Sequence, residues 1–419
     1  MINYKIKIFH AISLFPFFAF AQIDTLKINI KEAEELFLKH NFSLIAQKYN
    51  VDASKALTKQ AKLWDNPDLS TSQNVYDGTD RLFNHADGKG EIYFQIQQVF
   101  RTARKRGKQI QLAKDNEQIQ QAAFDDLMRN LKYNITLDFY QLNNLIEQQK
   151  IHQNEIDATS GLLKSMEALY QAGNISLKEN IRIQTLLFSL RSDKQEIINK
   201  ITDLQTDLQT SLGINGLVFI KPSDIQPAPA NLDFDLHDLF EKAKASRADY
   251  LSEKIQFQSA NHNLSLQKAL AIPDVSVGFF YDKANSYAPN YWGLGIEFPL
   301  PFFNRNQGNI KAAKLNVKSE EAQLNGLELQ IKAQIFNALK DYKQAHEFNT
   351  TTEQEFYSKH DGLFLNMLKS YQQRQISLIE FLDFFESYKD VKLKILEQQF
   401  NMHHAIAEIN YAVGTSIIQ

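Results

Sequence analysis

Residues 291–308 read YWGLGIEFPLPFFNRNQG, and two periods meet inside them. Trp292, Leu294, Ile296 and Phe298 alternate with Tyr291, Gly293, Gly295 and Glu297, the period of two that belongs to a strand with one apolar face. Pro299 and Pro301 come next; proline cannot donate to a ladder, so the pair suits a strand's end. From residue 302 to 419 there is no further proline, and a helix can run on unbroken beyond Gly308.

Working outward, three more segments show the same alternation. In residues 91–100, Ile92, Phe94 and Ile96 oppose Tyr93, Gln95 and Gln97; in 275–281, Val275, Val277, Phe279 and Tyr281 oppose Ser276, Gly278 and Phe280. Residues 68–76 are the weakest, with Leu69, Thr71, Gln73 and Val75 on the more apolar side. Each approaches the roughly 9–11 residues of a tilted transmembrane strand. A soluble sheet with one face on a core fits the same pattern, and the strands alone do not choose. Four strands cannot close a barrel, for which about eight is the practical minimum. A barrel would therefore need several copies of the chain.

The rest is written for helices. Only 15 Gly and 9 Pro occur among 419 residues, and residues 68–221 contain no proline. Phe124, Leu127, Leu131, Ile135, Leu142 and Leu145 form a seam spaced by three, four or seven, and Leu324, Leu327, Ile331, Ile335, Ala338, Tyr342 and Ala345 form another. A helix from Gly107 to Tyr170 would be about 95 Å long, which demands an elongated molecule.

The chain also repeats itself. Tyr170, Gln171, Ile175, Ser176 and Leu177 recur as Tyr371, Gln372, Ile376, Ser377 and Leu378, and Leu212-Gly213 recurs as Val413-Gly414. Upstream, Asn66-Pro67-Asp68 matches Ile272-Pro273-Asp274. So long a period marks a duplicated domain, not a solenoid. Each half is expected to run helix, strand, loop, strand, long helix, turn, long helix. The expected organisation is a signal peptide over 1–21, a first half over 22–214, a linker over 215–231 and a second half over 232–419. The signal rests on Lys5 and Lys7, an apolar run over residues 8–20 and the small-x-small site Ala19-Phe20-Ala21. An exported protein without a later 18-residue apolar span cannot cross a membrane as a helix.

Composition excludes several classes. With no Cys there is no disulfide scaffold, thiolate metal site, Cys nucleophile or lipid-modified N-terminal Cys. A net charge of −3 argues against a nucleic-acid partner. No P-loop, G-x-S-x-G or H-E-x-x-H motif is present, so an enzyme is not expected and no cofactor is implied. His403 and His404 are adjacent and point about 100° apart on a helix, which does not make the i,i+4 pair of a zinc helix. No resident metal is expected.

With these features in place, the chain resembles the TolC-type outer-membrane efflux proteins, and most closely the outer-membrane components of heavy-metal resistance-nodulation-division systems. Residues 291–308 resemble that family's last barrel strand and its junction with a long helix, and the two turns after Tyr170 and Tyr371 resemble its periplasmic hairpin tips. The resemblance implies a mainly α fold with a small β part. It implies a homotrimer in which four strands per chain make a 12-stranded barrel in outer-membrane lipid above a periplasmic helical tunnel. The implied partners are a periplasmic adaptor protein and an inner-membrane resistance-nodulation-division pump, and the implied task is passive conduction of substrates, metal cations foremost. A channel for drugs or for type I protein secretion is the alternative. A periplasmic coiled-coil adaptor or scaffold is the rival of a different class; it leaves the apolar stripe of residues 292–298 unexplained.

Site residues follow by position. Glu380 and Asp383 match the acidic residues that close the family's tunnel; in the first half Glu179 matches Glu380, but Arg182 stands where Asp383 does. The reading beside this one is a solvated helix face. Gly173, Asn174, Ile175 and Ser176, with Arg374, Gln375, Ile376 and Ser377, are the candidate adaptor-docking tips. Gly173-Asn174 calls for a residue at positive φ, and because Arg374-Gln375 lacks glycine the two tips are expected to differ in geometry. Pro299, Pro301 and Gly308 mark the barrel–tunnel junction. Arg101, Arg104, Lys105, Arg106 and Lys108, at the first-half junction, could meet lipid phosphates, line the tunnel or simply be solvated.

Overall fold

The computed structural model describes residues 24–76, 78, 82, 83, 85, 90–226, 233–351 and 354–418. The signal segment, part of the loop before residue 90 and part of the proposed linker lie outside them. Two helical hairpins dominate. The first joins α3 (Lys105–Gln171, 67 residues) to α4 (Leu177–Leu212, 36 residues). The second joins α7 (Gln307–Thr351) and α8 (Gln354–Gln372) to α9 (Leu378–Val413, 36 residues). At 1.5 Å per residue α3 is about 100 Å long.

What makes these helices pair is the seam. Ile135, Phe139, Leu142 and Leu145 of α3 are buried with Ile197, Ile201, Leu208 and Leu212 of α4, and Phe124, Leu127 and Leu131 pack against them. In the second half Ile331, Ile335, Ala338 and Tyr342 are buried with Met402, Ala405 and Ile409, joined by Leu324, Leu327 and Ala345. Each fully buried Leu or Ile contributes about 1.5–3 kcal/mol relative to exposure. Exposed pairs such as Lys55–Asp52 contribute little beside that. The seam holds the hairpins. No described helix is long and apolar enough to cross a membrane.

Before each hairpin the chain is more divided than the sequence suggests. The first half opens with β1 (Asp24–Ile28), α1 (Ile30–His40) and α2 (Phe42–Ala61); the second with β4 (Val218–Pro222), α5 (Leu236–Ser246) and α6 (Ala248–Leu270). A single leading helix was expected in each half; the structure breaks it at Asn41 and Arg247, both extended. The reason is tertiary. Buried Asn41 caps α2 through Leu44 N–H and donates from Nδ2 to the Ser211 carbonyl at the end of α4. Arg247, 2% exposed, donates to the Ala412 carbonyl at the end of α9 and to Asp249 and Gln334. Each corner thus receives the end of its own hairpin. Strand β4 lies within the stretch read as linker and pairs parallel with β1. Gln205 serves both backbone groups of Ile220, at 2.7 and 2.8 Å.

A second sheet carries the four expected strands: β2 (Asp68–Gln73), β3 (Ile92–Phe100), β5 (Val275–Asp282) and β6 (Tyr291–Glu297), antiparallel in the order β2-β3-β5-β6. The register sets Leu69 beside Ile96, Ile96 beside Phe279 and Phe279 beside Leu294. One face therefore gathers Leu69, Phe94, Ile96, Phe279, Trp292, Leu294 and Ile296, all exposed. The other gathers a chain of polar contacts from Tyr93 through Gln95 and Gln97 to Glu297. On that face the Phe280 ring occupies the space beside Gly293, where a Cβ would stand 2.3 Å from it.

Candidate functional site: the paired hairpin tips

Both hairpins reverse direction by the same closure. In the first, Gly173 N–H donates to the Tyr170 carbonyl at 2.9 Å and Asn174 N–H to Leu169 at 2.8 Å. In the second, Arg374 N–H donates to Tyr371 at 2.9 Å and Gln375 N–H to Ser370 at 2.8 Å. Gly173 has φ +72° and Arg374 φ +60°. The expectation that the tips differ is thus corrected: they share one geometry, and Arg374 adopts the left-handed conformation that glycine would adopt freely. The hydrogen-bond pattern, not the residue type, dictates the conformation there. After each turn a capping box starts the next helix. Glu179 N–H donates to Ser176 Oγ and Ser176 N–H to the Glu179 carboxylate; Ser377 and Glu380 repeat the exchange.

The two tips meet. Arg374 Nη2 lies 3.5 Å from the Asn174 carbonyl, and a cavity of about 510 Å³ opens between the turns. Asn174, Ile175, Glu179, Tyr371, Arg374 and Ile376 are among its lining residues. Beneath it Tyr371 stacks on Phe381, centroids 5.1 Å apart, and Phe364 meets Phe385, within a cluster that also holds Leu162, Ile183, Leu187 and Leu190. Burial, with the Glu179 charge nearby, pushes the Tyr371 hydroxyl up to about 12, so it stays protonated at neutral pH. This aromatic floor was not anticipated as part of the site. Its signal was the repeated tyrosine before each turn.

Glu380 and Asp383 lie exposed in the first turns of α9. Glu380 accepts the Ser377 N–H at 2.7 Å, and this bond holds its carboxyl below the usual carboxylate range. The acid repeated in both halves therefore has a capping task in each. Asp383, with no acidic counterpart in the first half, is outside that capping exchange.

At the first strand–helix junction four of the five expected basic residues are tied to their own chain. Arg101 forms two bonds to Asp65, at 2.6 and 2.8 Å, and buried Lys105 pairs with Asp274 at 2.7 Å. Arg106 lies over the Trp64 ring at 4.1 Å, and Lys108 bonds Ser265. Pro299 and Pro301 fall between β6 and α7, and Gly308 in the first turn of α7, where a Cβ would meet nothing within 4 Å. The turn into α7 is made by Asn306 instead, at φ +56° and bonded to the Gln267 carbonyl. His403 stacks on Tyr140 at 4.1 Å, and burial lowers its pKa. Among the described residues no group of three or more His, Asp or Glu is placed to hold a metal.

The architecture and the tips can now be compared with known proteins. No family model matches the chain. Over 290 residues it is 19% identical to the cobalt-zinc-cadmium resistance protein CzcC of Cupriavidus metallidurans, across 68% of this chain and 66% of that protein, a little under two thirds of its length. Among solved structures it is similar to CusC, whose crystal structures concern folding and transmembrane channel formation (TM-score 0.75, 15% identity, 94% of each chain). It is similar to the outer membrane protein VceC of Vibrio cholerae (TM-score 0.72, 17% identity, 92% of this chain and 96% of that one). The Campylobacter jejuni CmeC outer membrane channel matches as well (TM-score 0.76, 14% identity, 93% and 86%). Likeness over nearly the whole length, strands and both hairpins included, gives this chain the fold of the TolC-type outer-membrane channels.

Proposed function

We propose that this chain is the outer-membrane channel of a tripartite efflux system, conducting substrate passively from a pump and adaptor to the exterior. The observation that carries the reading is the four-stranded sheet: its apolar face is exposed, and among the described residues its edges β2 and β6 have no further strand partner. Unpaired edges and an exposed apolar face are what a closed barrel in lipid removes from water. Three copies would supply 12 strands, and the polar face from Tyr93 to Glu297 would line the passage. The hairpins then form a periplasmic tunnel whose far end is the paired tips.

At that end Asp383 and Glu380 are the aperture carboxylates, six in a trimer, and the turns at Gly173 to Ser176 and Arg374 to Ser377 are the adaptor-docking surface. A ring of carboxylates favours cations, and the likeness to a cobalt-zinc-cadmium resistance protein supports metal cations as the cargo. The pump supplies the energy, and this chain contributes no catalytic step. The repeated element order supports a division into two halves, with β4, inside the stretch expected as linker, opening the second. Deletion of the gene followed by growth on cobalt, zinc, cadmium, copper, silver and a drug panel tests the cargo. Metal sensitivity is expected; sensitivity to drugs alone overturns the metal assignment and keeps the channel. Recovery of the protein without detergent overturns the channel in favour of a periplasmic adaptor.

A further inference from the structure

Two polar side chains lie buried on α3 with polar atoms left unpaired among the described residues. His152 and Glu155, one turn apart on α3, are each 2% exposed. His152 Nδ1 stands 3.5 Å from Glu155 Oε2, and among the described residues neither that nitrogen nor either Glu155 oxygen has a hydrogen-bond partner. Among the described residues, the charges that act on this pair are Asp193 from α4 and Lys389 from α9. Those two pair with one another, Nζ to Oδ2 at 3.8 Å. The neighbouring charges are already engaged, Lys194 with Gln153 and Glu196 with Lys200.

Burying an ionised carboxylate that has no donors is far costlier than burying a neutral carboxyl. Burial pushes Glu155 up to about 7 and keeps His152 neutral by lowering its pKa. Near neutral pH burial thus favours the uncharged form of each partner. Once Glu155 loses its proton, His152 offers it no charge, and the cation that acts on it is Lys389, on a flexible stem and paired with half-exposed Asp193.

We propose that Glu155 is a proton-operated selector for Lys389. Protonated, it leaves Lys389 joining α9 to Asp193 of α4; ionised, it draws Lys389 onto α3, so that the contact between the two hairpins is exchanged. The adjacent Ile156 belongs to the same packed cluster as Tyr371, Leu378 and Phe381, which carries the exchange towards the tips. That last step rests on the reading of the tips as the channel's aperture. The sign is fixed: the folded chain holds a proton that an unfolded one releases near the ordinary carboxylate value. The Glu155 contribution is therefore largest at low pH and falls as pH rises towards about 7, while His152, its pKa lowered by burial, works in the opposite sense and costs stability as pH falls below the ordinary imidazole value.

The test uses the full-length protein in detergent and exploits the lack of native Cys. Spin labels at Ser192→Cys on α4 and Ser387→Cys on α9, diluted with unlabelled chain, report the seam. The distance distribution is expected to shift between pH about 5.5 and about 8.5, which bracket the transition. Glu155→Gln should keep the acid-side distribution at both, and Asp193→Asn should move the midpoint down by freeing Lys389. Distances that ignore pH, or that shift equally in Glu155→Gln, overturn the selector. Planar-bilayer conductance, recorded in parallel, tests the other reading separately: no conductance at any pH overturns the channel, not the selector.

Discussion

Arg374 holds a backbone conformation that costs a residue with a Cβ about 1–2 kcal/mol, while Gly173 holds the matching place without that penalty. Arg374→Gly is expected to stabilise the fold against denaturant by a net of about 0.5–1 kcal/mol, since glycine returns some of the gain as unfolded-state entropy. It also removes the guanidinium that reaches Asn174, so passive conductance through the closed tip should rise. A stabilised variant with unchanged conductance would show that Arg374 has no latching role. Glu380 and Asp383 are separable by the same logic. Glu380→Gln with Asp383→Asn removes both charges while leaving an acceptor for Ser377 N–H, and should lower cation over anion permeability without loosening α9. Unchanged selectivity would reject the aperture. Glu380→Ala should additionally fray the start of α9, and acid should mimic this: the capped carboxylate favours the folded state above the ordinary carboxylate range and loses that effect as pH falls below it. The capping by Glu380 was not weighed in the sequence, and the left-handed Arg374 was misread because residue type was allowed to stand for geometry.

Among the elements, the strands and long helices were legible because each side chain's environment repeats with the period of the structure. The phase read from Trp292, Leu294 and Ile296 is the phase the register shows. The corners at Asn41 and Arg247 were not, since no Pro or Gly interrupts the helical pattern there and the break is imposed by carbonyls at Ser211 and Ala412, far off in sequence. Strands β1 and β4 are five residues each and pair across the whole first half, beyond any local signal. Close approach yields sharp expectations. Gly213 is at φ +64°, and a Cβ there would stand 2.4 Å from the His40 carbonyl oxygen, so Gly213→Ala should destabilise by at least about 1–3 kcal/mol in chemical unfolding. Gly293→Ala should collide with Phe280 and lower the thermal stability of the assembled protein, and adding Phe280→Ala should restore most of it.

On the scale of the whole molecule, the described residues leave a sheet with two open edges standing on two hairpins. In a background without native Cys, cysteines placed along β2 and β6 are expected to crosslink copies to a covalent trimer, with efficiency alternating every second position. Crosslinking that stops at dimers would contradict the closed ring. A different constraint follows from the near-equal helical runs that lead from sheet to tip, α3 with 67 residues and α7 and α8 with 45 and 19. The hairpins act as matched rulers, fixing how far the tips stand from the sheet, and they are level only while equal. Excising one heptad from each helix of both hairpins would lower all tips together by about 10 Å. Excising it from one hairpin alone would leave alternate tips at two depths, a stepped rim on which no single ring of partners could sit.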